Sequence, residues 1–142
     1  MIYKIIDNDF DRCKKWSLEN SLYPSAIDAF IGLEKDGELI ACSGFGWFSG
    51  GSMHHHISIR NGARTHPAFW WYMAHYAFVQ CGVNMLIGVT PSANDKALNI
   101  AKHFGYKQIL TLVGAGLNGG DLIIQTLDKN DCKWLNKKVR LL

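Results

Sequence analysis

The spacing of apolar and polar positions changes repeatedly along the chain, and each change predicts an element. IYKII at 2–6 reads as a short opening strand, after which Asn8 or Asp9 caps a helix running through Phe10, Cys13, Trp16 and Leu18. Pro24 and Ser25 begin a short second helical turn. A hairpin follows, with one strand from Phe30 to Glu34, a turn at Lys35-Asp36-Gly37 and a return strand from Leu39 through Trp47. Beyond the loop Ser49-Gly50-Gly51-Ser52, the β-branched residues between Met53 and Arg60 predict another strand. Pro67 suits the first turn of a helix that meets no breaker before Gly82, and its aromatic residues on all sides predict burial on more than one face. Met85 to Thr90 is a strand, Asn94 opens a helix that stops at Gly105, and Tyr106–Val113 and Asp121–Leu127 are strands joined by the glycine-rich link 114–120. A polar helix from Asp128 to Lys138 closes the pattern.

Strands and helices alternate only in the middle of this order, which predicts an α/β (α+β) domain built on a mixed sheet of about seven strands flanked by about four to five helices. The 142 residues suffice for one core, so residues 1–142 are expected to form a single domain with a basic C-terminal segment from about 128. No apolar run reaches the ~18 residues of a membrane span, and the amino terminus meets acid at Asp7 rather than carrying a signal sequence. The expectation is no membrane partner, no secretion and a cytoplasmic location. The cysteines 13, 42, 81 and 132 form no C-x-x-C pair and read as reduced thiols.

Charge adds two features. The last fourteen residues hold five basic side chains against Asp131 alone. Nucleic acid is a conceivable partner for that tail, but the same charges read as the solvated face of a last helix, which is the favoured reading. Between Glu38 and Asp95 there is no carboxylate, while Arg60 and Arg64 lie within the span, a distribution suited to a ligand carrying phosphates.

Asn94, Ala97, Ile100, Gly105 and Tyr106 have the spacing of the motif N-x-x-A-x-x-L-Y-x-x-x-G-F, and on these residues and the element order from residue 2 to about 127 the chain resembles the GNAT N-acyltransferase superfamily. Ala101 stands where that motif has its tyrosine, often the acid that protonates the departing CoA thiolate. HPAFWWYMAHYAF and GGDLIIQTLDKNDCKWL also resemble segments of small GNAT-like proteins of tailed bacteriophages, which implies a phage origin and a host cytoplasm.

The resemblance implies acetyl-CoA as donor substrate, an amine acceptor and, as in many relatives, a homodimer. It places pantetheine along the strand before the central helix, at Ile57 and Ile59, and pyrophosphate in the loop from Arg60 and Arg64 through Thr65, His66 and Pro67 to the N–H groups of Ala68 and Phe69. Helix N-termini suit anions because their first N–H groups lack intrahelical partners. Capping of that helix by Thr65 or His66 is the plainer alternative. Asn94 and Ala97 are expected beside the pantetheine arm, with Asn94 also an ordinary N-cap. Lys102 reads either as a phosphate contact or as a solvated helix residue.

Amine acylation needs a base for the ammonium proton and an acid for the leaving thiolate. The candidate bases are Glu34, His54 and His56; alternation puts His54 and His56 on one face of their strand and His55 on the other. Two same-face histidines are too few for a metal site, and no metal is expected. Tyr76, Tyr106 and Ser92 are candidate acids by chemistry alone. The aromatic cluster Trp70, Trp71, Tyr72, Tyr76 and Phe78 reads as core rather than a stacking platform. The resemblance also implies that the 114–120 loop covers the acceptor end of the sheet, where Asp121 beside it suits a cationic amine. Three functions remain in competition: an acyl-CoA-dependent N-acyltransferase, a catalytically degenerate protein of the same fold acting as a structural, assembly or host-binding factor, and a modifier of nucleic acid or aminoacyl-tRNA.

Overall fold

The computed structural model describes residues 1–20 and 27–142, so the helical turn expected at Pro24 and Ser25 lies outside the described residues. Seven strands, β1 (Tyr3–Ile6), β2 (Ala29–Lys35), β3 (Glu38–Gly46), β4 (Ser52–Ile59), β5 (Met85–Pro91), β6 (Lys107–Leu112) and β7 (Leu122–Asp128), form one sheet in the order β1-β2-β3-β4-β5-β7-β6. Every neighbouring pair is antiparallel except β4 and β5, which run parallel.

The described residues contain three α-helices, α1 (Phe10–Asn20), α2 (Pro67–His75) and α3 (Asp95–Phe104), fewer than the four to five expected. Asp9, one of the two expected caps, accepts from the Arg12 N–H at 3.3 Å and starts α1. Helix α1 lies against one face of the sheet, where Cys13 packs with Ile6, Phe30, Leu39 and Cys42. Gly32 permits that approach, because a Cβ there would stand 2.9 Å from Leu39 and 3.1 Å from the Cys13 sulfur. The larger core covers the opposite face, where α2 buries Phe69, Trp70 and Met73 against Leu33, Ile40 and Phe45, with Phe78 and Phe104 alongside. The helix expected to run to Gln80 changes pitch after His75, and Tyr76–Gln80 is a π-helical turn closed by the Cys81 N–H on the Tyr76 carbonyl at 2.8 Å.

The helix expected from Asp128 to Lys138 does not form. Asp128 turns its carboxylate onto the Asn130 N–H, Cys132 is extended, and only the short 3₁₀ turns Lys129–Asp131 and Lys133–Leu135 remain. The segment is anchored by burial of Trp134, whose ring stacks 6.0 Å from Trp70, and Lys133 and Lys137 lie over the same indole. Two of the basic residues of the tail thus cover a ring instead of forming one charged helical face.

Candidate functional site

Strands β4 and β5 pair over three positions only, Ser52–His54 with Met85–Ile87, and then part. The groups lining the gap follow from the pairing on either side. The Arg60 N–H bonds the Ile40 carbonyl, so by the two-residue alternation of an antiparallel ladder the N–H and C=O of Ile57 and Ile59 point away from β3, into the gap. On the other side the Ser92 N–H bonds the Asp121 carbonyl, which by the same alternation turns the backbone groups of Val89 toward β4. Helix α3 packs across both strands. The result is a cavity of 510 Å³ with two unpaired strand edges as walls and Asn94, Ala97, Ile100 and Ala101 on the α3 side. A ligand with amide groups spaced along an extended chain can bond to both walls, much as an added strand would.

At the inner end the cavity meets a buried polar chain. His55 is 7% exposed, with Nε2 2.6 Å from the Ser43 hydroxyl and Nδ1 2.8 Å from the Tyr106 hydroxyl, under a stacked Phe45 ring. Burial, and then the neighbouring His56, pulls the His55 pKa down to about 3, so the ring is neutral. Either tautomer satisfies both neighbours, because each hydroxyl can donate or accept. Burial also holds the Tyr106 phenol well above its usual pKa. Nearby, Thr90 donates to Gln125 at 2.8 Å, and both line the cavity.

Of the residues singled out in the sequence, the structure brings His56, Ile57, Ile59, Asn94, Ala97 and the candidate acid Tyr106 to the cavity, while Tyr76 and Ser92 stand outside its lining. Asn94 also caps α3, accepting from the Ala97 N–H at 3.1 Å. His54 and His56 share a face as expected. His56 is the one that lines the cavity, with a pKa pulled to about 4 by burial, while His54 packs beside Trp47. Glu34 is elsewhere, on β2, held 2.7 Å from Arg12.

At the expected phosphate loop the structure shows the capping arrangement that was the alternative for Thr65 or His66. His66 caps α2 itself, its Nδ1 accepting from the Ala68 N–H at 3.0 Å and its carbonyl accepting from the Phe69 N–H at 3.0 Å, so two of the N–H groups expected to face an anion are occupied. Thr65 accepts from the Trp70 indole, and Arg60 pairs with Glu38 at 3.4 Å. Arg64, Pro67 and Lys102 are exposed and stand outside the cavity lining. Asp121 caps the glycine-rich loop through the Gly114 N–H at 2.9 Å, so its carboxylate is engaged locally rather than aimed at an acceptor.

Lys96, His55 and Gln125 line the cavity without having been singled out for it. Gln125 did leave a signal, since it shares the buried face of β7 with Ile123 and Leu127, where a lone amide between aliphatic residues needs a partner. Among the described residues no group of three or more His, Cys, Asp or Glu is placed to hold a metal ion, and no helix is long and apolar enough to cross a membrane.

No family model matches the sequence, and no curated protein matches it. Solved structures do. The putative acetyltransferase yncA of Salmonella typhimurium, determined with its cofactor acetyl-CoA, superposes with a TM-score of 0.70 at 13% identity, over 89% of this chain and 94% of its own. Variant forms of the spermidine/spermine N-acetyltransferase SpeG of Vibrio cholerae give 0.72 at 13% identity, over 95% and 98%. A putative acetyltransferase of the GNAT family from Desulfovibrio desulfuricans gives 0.71 at 13%, over 90% and 99%. The chain has the GNAT fold. Its parted parallel strands lie in the middle of that fold's mixed sheet, and Ala101 lines the gap between them.

Proposed function

We propose that the protein is an acyl-CoA-dependent N-acyltransferase whose donor occupies the cleft between β4 and β5. One observation carries this reading: the two strands part in the centre of the GNAT sheet and turn the backbone groups of Ile57, Ile59 and Val89 into a 510 Å³ cavity. Those groups suit the two amides of a pantetheine arm, with Asn94 and Ala97 along its side. The Salmonella protein was determined with acetyl-CoA as its cofactor.

In the proposed reaction the amine nitrogen attacks the thioester carbonyl carbon, the C–S bond breaks, and the sulfur takes a proton as the amide forms. Ala101 has no proton to give. Tyr106 is the phenol among the hydroxyls that line the cavity, and a tyrosinate there would accept a hydrogen bond from His55 Nδ1–H. His56, Ser58 and Asn20 at the end of α1 also line the cavity, and we place the acceptor on their side. His56 is the candidate base on that wall, and the burial that lowers its pKa to about 4 works against its taking the proton until the site is filled.

The test is transfer of labelled acetyl from acetyl-CoA to a panel of amines, beginning with spermidine because a structural neighbour is named for it. Amine-dependent release of CoA supports the reading; the absence of transfer to every amine, peptide and tRNA pool overturns it. A second reading, a binding protein that keeps the fold without catalysis, draws on the occupied N–H groups at the start of α2 and on Ala101. It predicts no turnover and no rise in Tm with millimolar acetyl-CoA, where a donor bound at 100 times its Kd would raise Tm by roughly 5–10 °C.

A further inference from the structure

Lys96 is the one side chain with a full charge among the described residues lining the cavity, and no carboxylate lines it. It stands in the first turn of α3 and reaches across the opening, where Nζ donates to the Ile59 carbonyl at 2.6 Å and to Asn61 Oδ1 at 2.5 Å. These bonds tie α3 to the end of β4. The Ile59 carbonyl is also one of the edge groups that the β3–β4 ladder turns into the cleft. An ammonium has three donors, and two are used here.

The other groups suited to phosphate are engaged or lie elsewhere. Arg60 pairs with Glu38, Arg64 stands outside the lining, and His66 occupies the Ala68 and Phe69 N–H groups.

We propose that Lys96 is a phosphate-exchanged latch: on donor binding, Nζ trades the Ile59 carbonyl for a phosphate oxygen, and the released carbonyl accepts an amide N–H from the donor's own chain. This rests on the reading of the cleft as an acyl-donor site and extends it in two ways. It orients the ligand, with phosphates at the α3 mouth and the thioester at the inner end beside Tyr106. It also makes the phosphate a key, because a ligand without one must compete with the lysine for the strand edge.

Calorimetric titration tests this with coenzyme A, 4′-phosphopantetheine and phosphate-free pantetheine against the wild type, Lys96→Met and Lys96→Arg. Lys96 is exposed, so the variants should fold, and their melting temperatures report what the two bonds to Ile59 and Asn61 contribute. The expected result is that Lys96→Met weakens both phosphate-bearing ligands about ten- to a hundredfold, as loss of a charge-assisted bond requires, while pantetheine binds as well or better and Lys96→Arg restores most of the loss. Equal weakening of all three ligands would make Lys96 a brace and overturn the latch, as would no change in any. A wild-type protein that binds neither coenzyme A nor pantetheine would instead overturn the donor-site reading itself.

Discussion

The imidazole of His55 and the phenol of Tyr106, 51 residues apart in the chain, meet at 2.8 Å and join the β1–β4 half of the sheet to the β5–β7 half where the strands between them have separated. Tyr106→Phe removes the partner of a buried ring nitrogen and should cost about 1–3 kcal/mol in urea unfolding. If Tyr106 also delivers the proton to the departing thiolate, kcat falls while coenzyme A binds as before. Normal stability and normal kcat together would remove both roles.

Stability should depend on pH through the same ring. Above pH 6.5 His55 is neutral in folded and unfolded chains alike; below it, the unfolded chain takes a proton that the folded one refuses until about pH 3. Stability is therefore complete above 6.5 and falls with decreasing pH by about 1.4 kcal/mol per unit, and His56 adds a similar slope down to about pH 4. Unfolding midpoints measured from about pH 7.5 to 5 will show this, and a flat profile would mean that the rings ionise in place.

Glu34→Gln separates ion pairing from catalysis. The carboxylate is bonded to Arg12 and lies outside the cleft, so transfer should stay within about twofold and stability should fall by about 1 kcal/mol or less. A large loss of kcat with normal folding would restore Glu34 as a base.

Trp134→Ala should cost about 3–5 kcal/mol, because it empties the contact with Trp70 that holds the last segment of the chain. Thermal melting reads the loss directly. Replacing Lys133 and Lys137 together by Gln should cost far less, since their charges only overlie the ring.

Much of the fold was legible because periodicity and caps act locally. Asp9, Pro67, Asn94 and Gly105 mark helix ends by chemistry that needs no tertiary information, and the β2–β3 hairpin follows from its turn. The last segment was misread for a tertiary reason: its polar pattern suits a helix, but burying Trp134 on Trp70 fixes an irregular path. The Asn94 motif located one wall of the cavity, and Ile57 and Ile59 the other. The loop after β4 left two readings open because His66 has the chemistry of a cap as well as of an anion site, and sequence alone does not say which N–H it will take. Lys96 was hidden for a similar reason, since its partners on β4 and in the following loop are 37 and 35 residues away.

A sheet that opens in its middle owns two additional edges, and edges recruit foreign strands. Here they face one another under α3, within a gap bounded by the chain's own strands, where a passing polypeptide has little access and a slender ligand has more. Amides such as those of Ile57 and Val89 should accordingly exchange with deuterium like those of a sheet margin although they sit at its centre, and slow sharply once the cleft is filled.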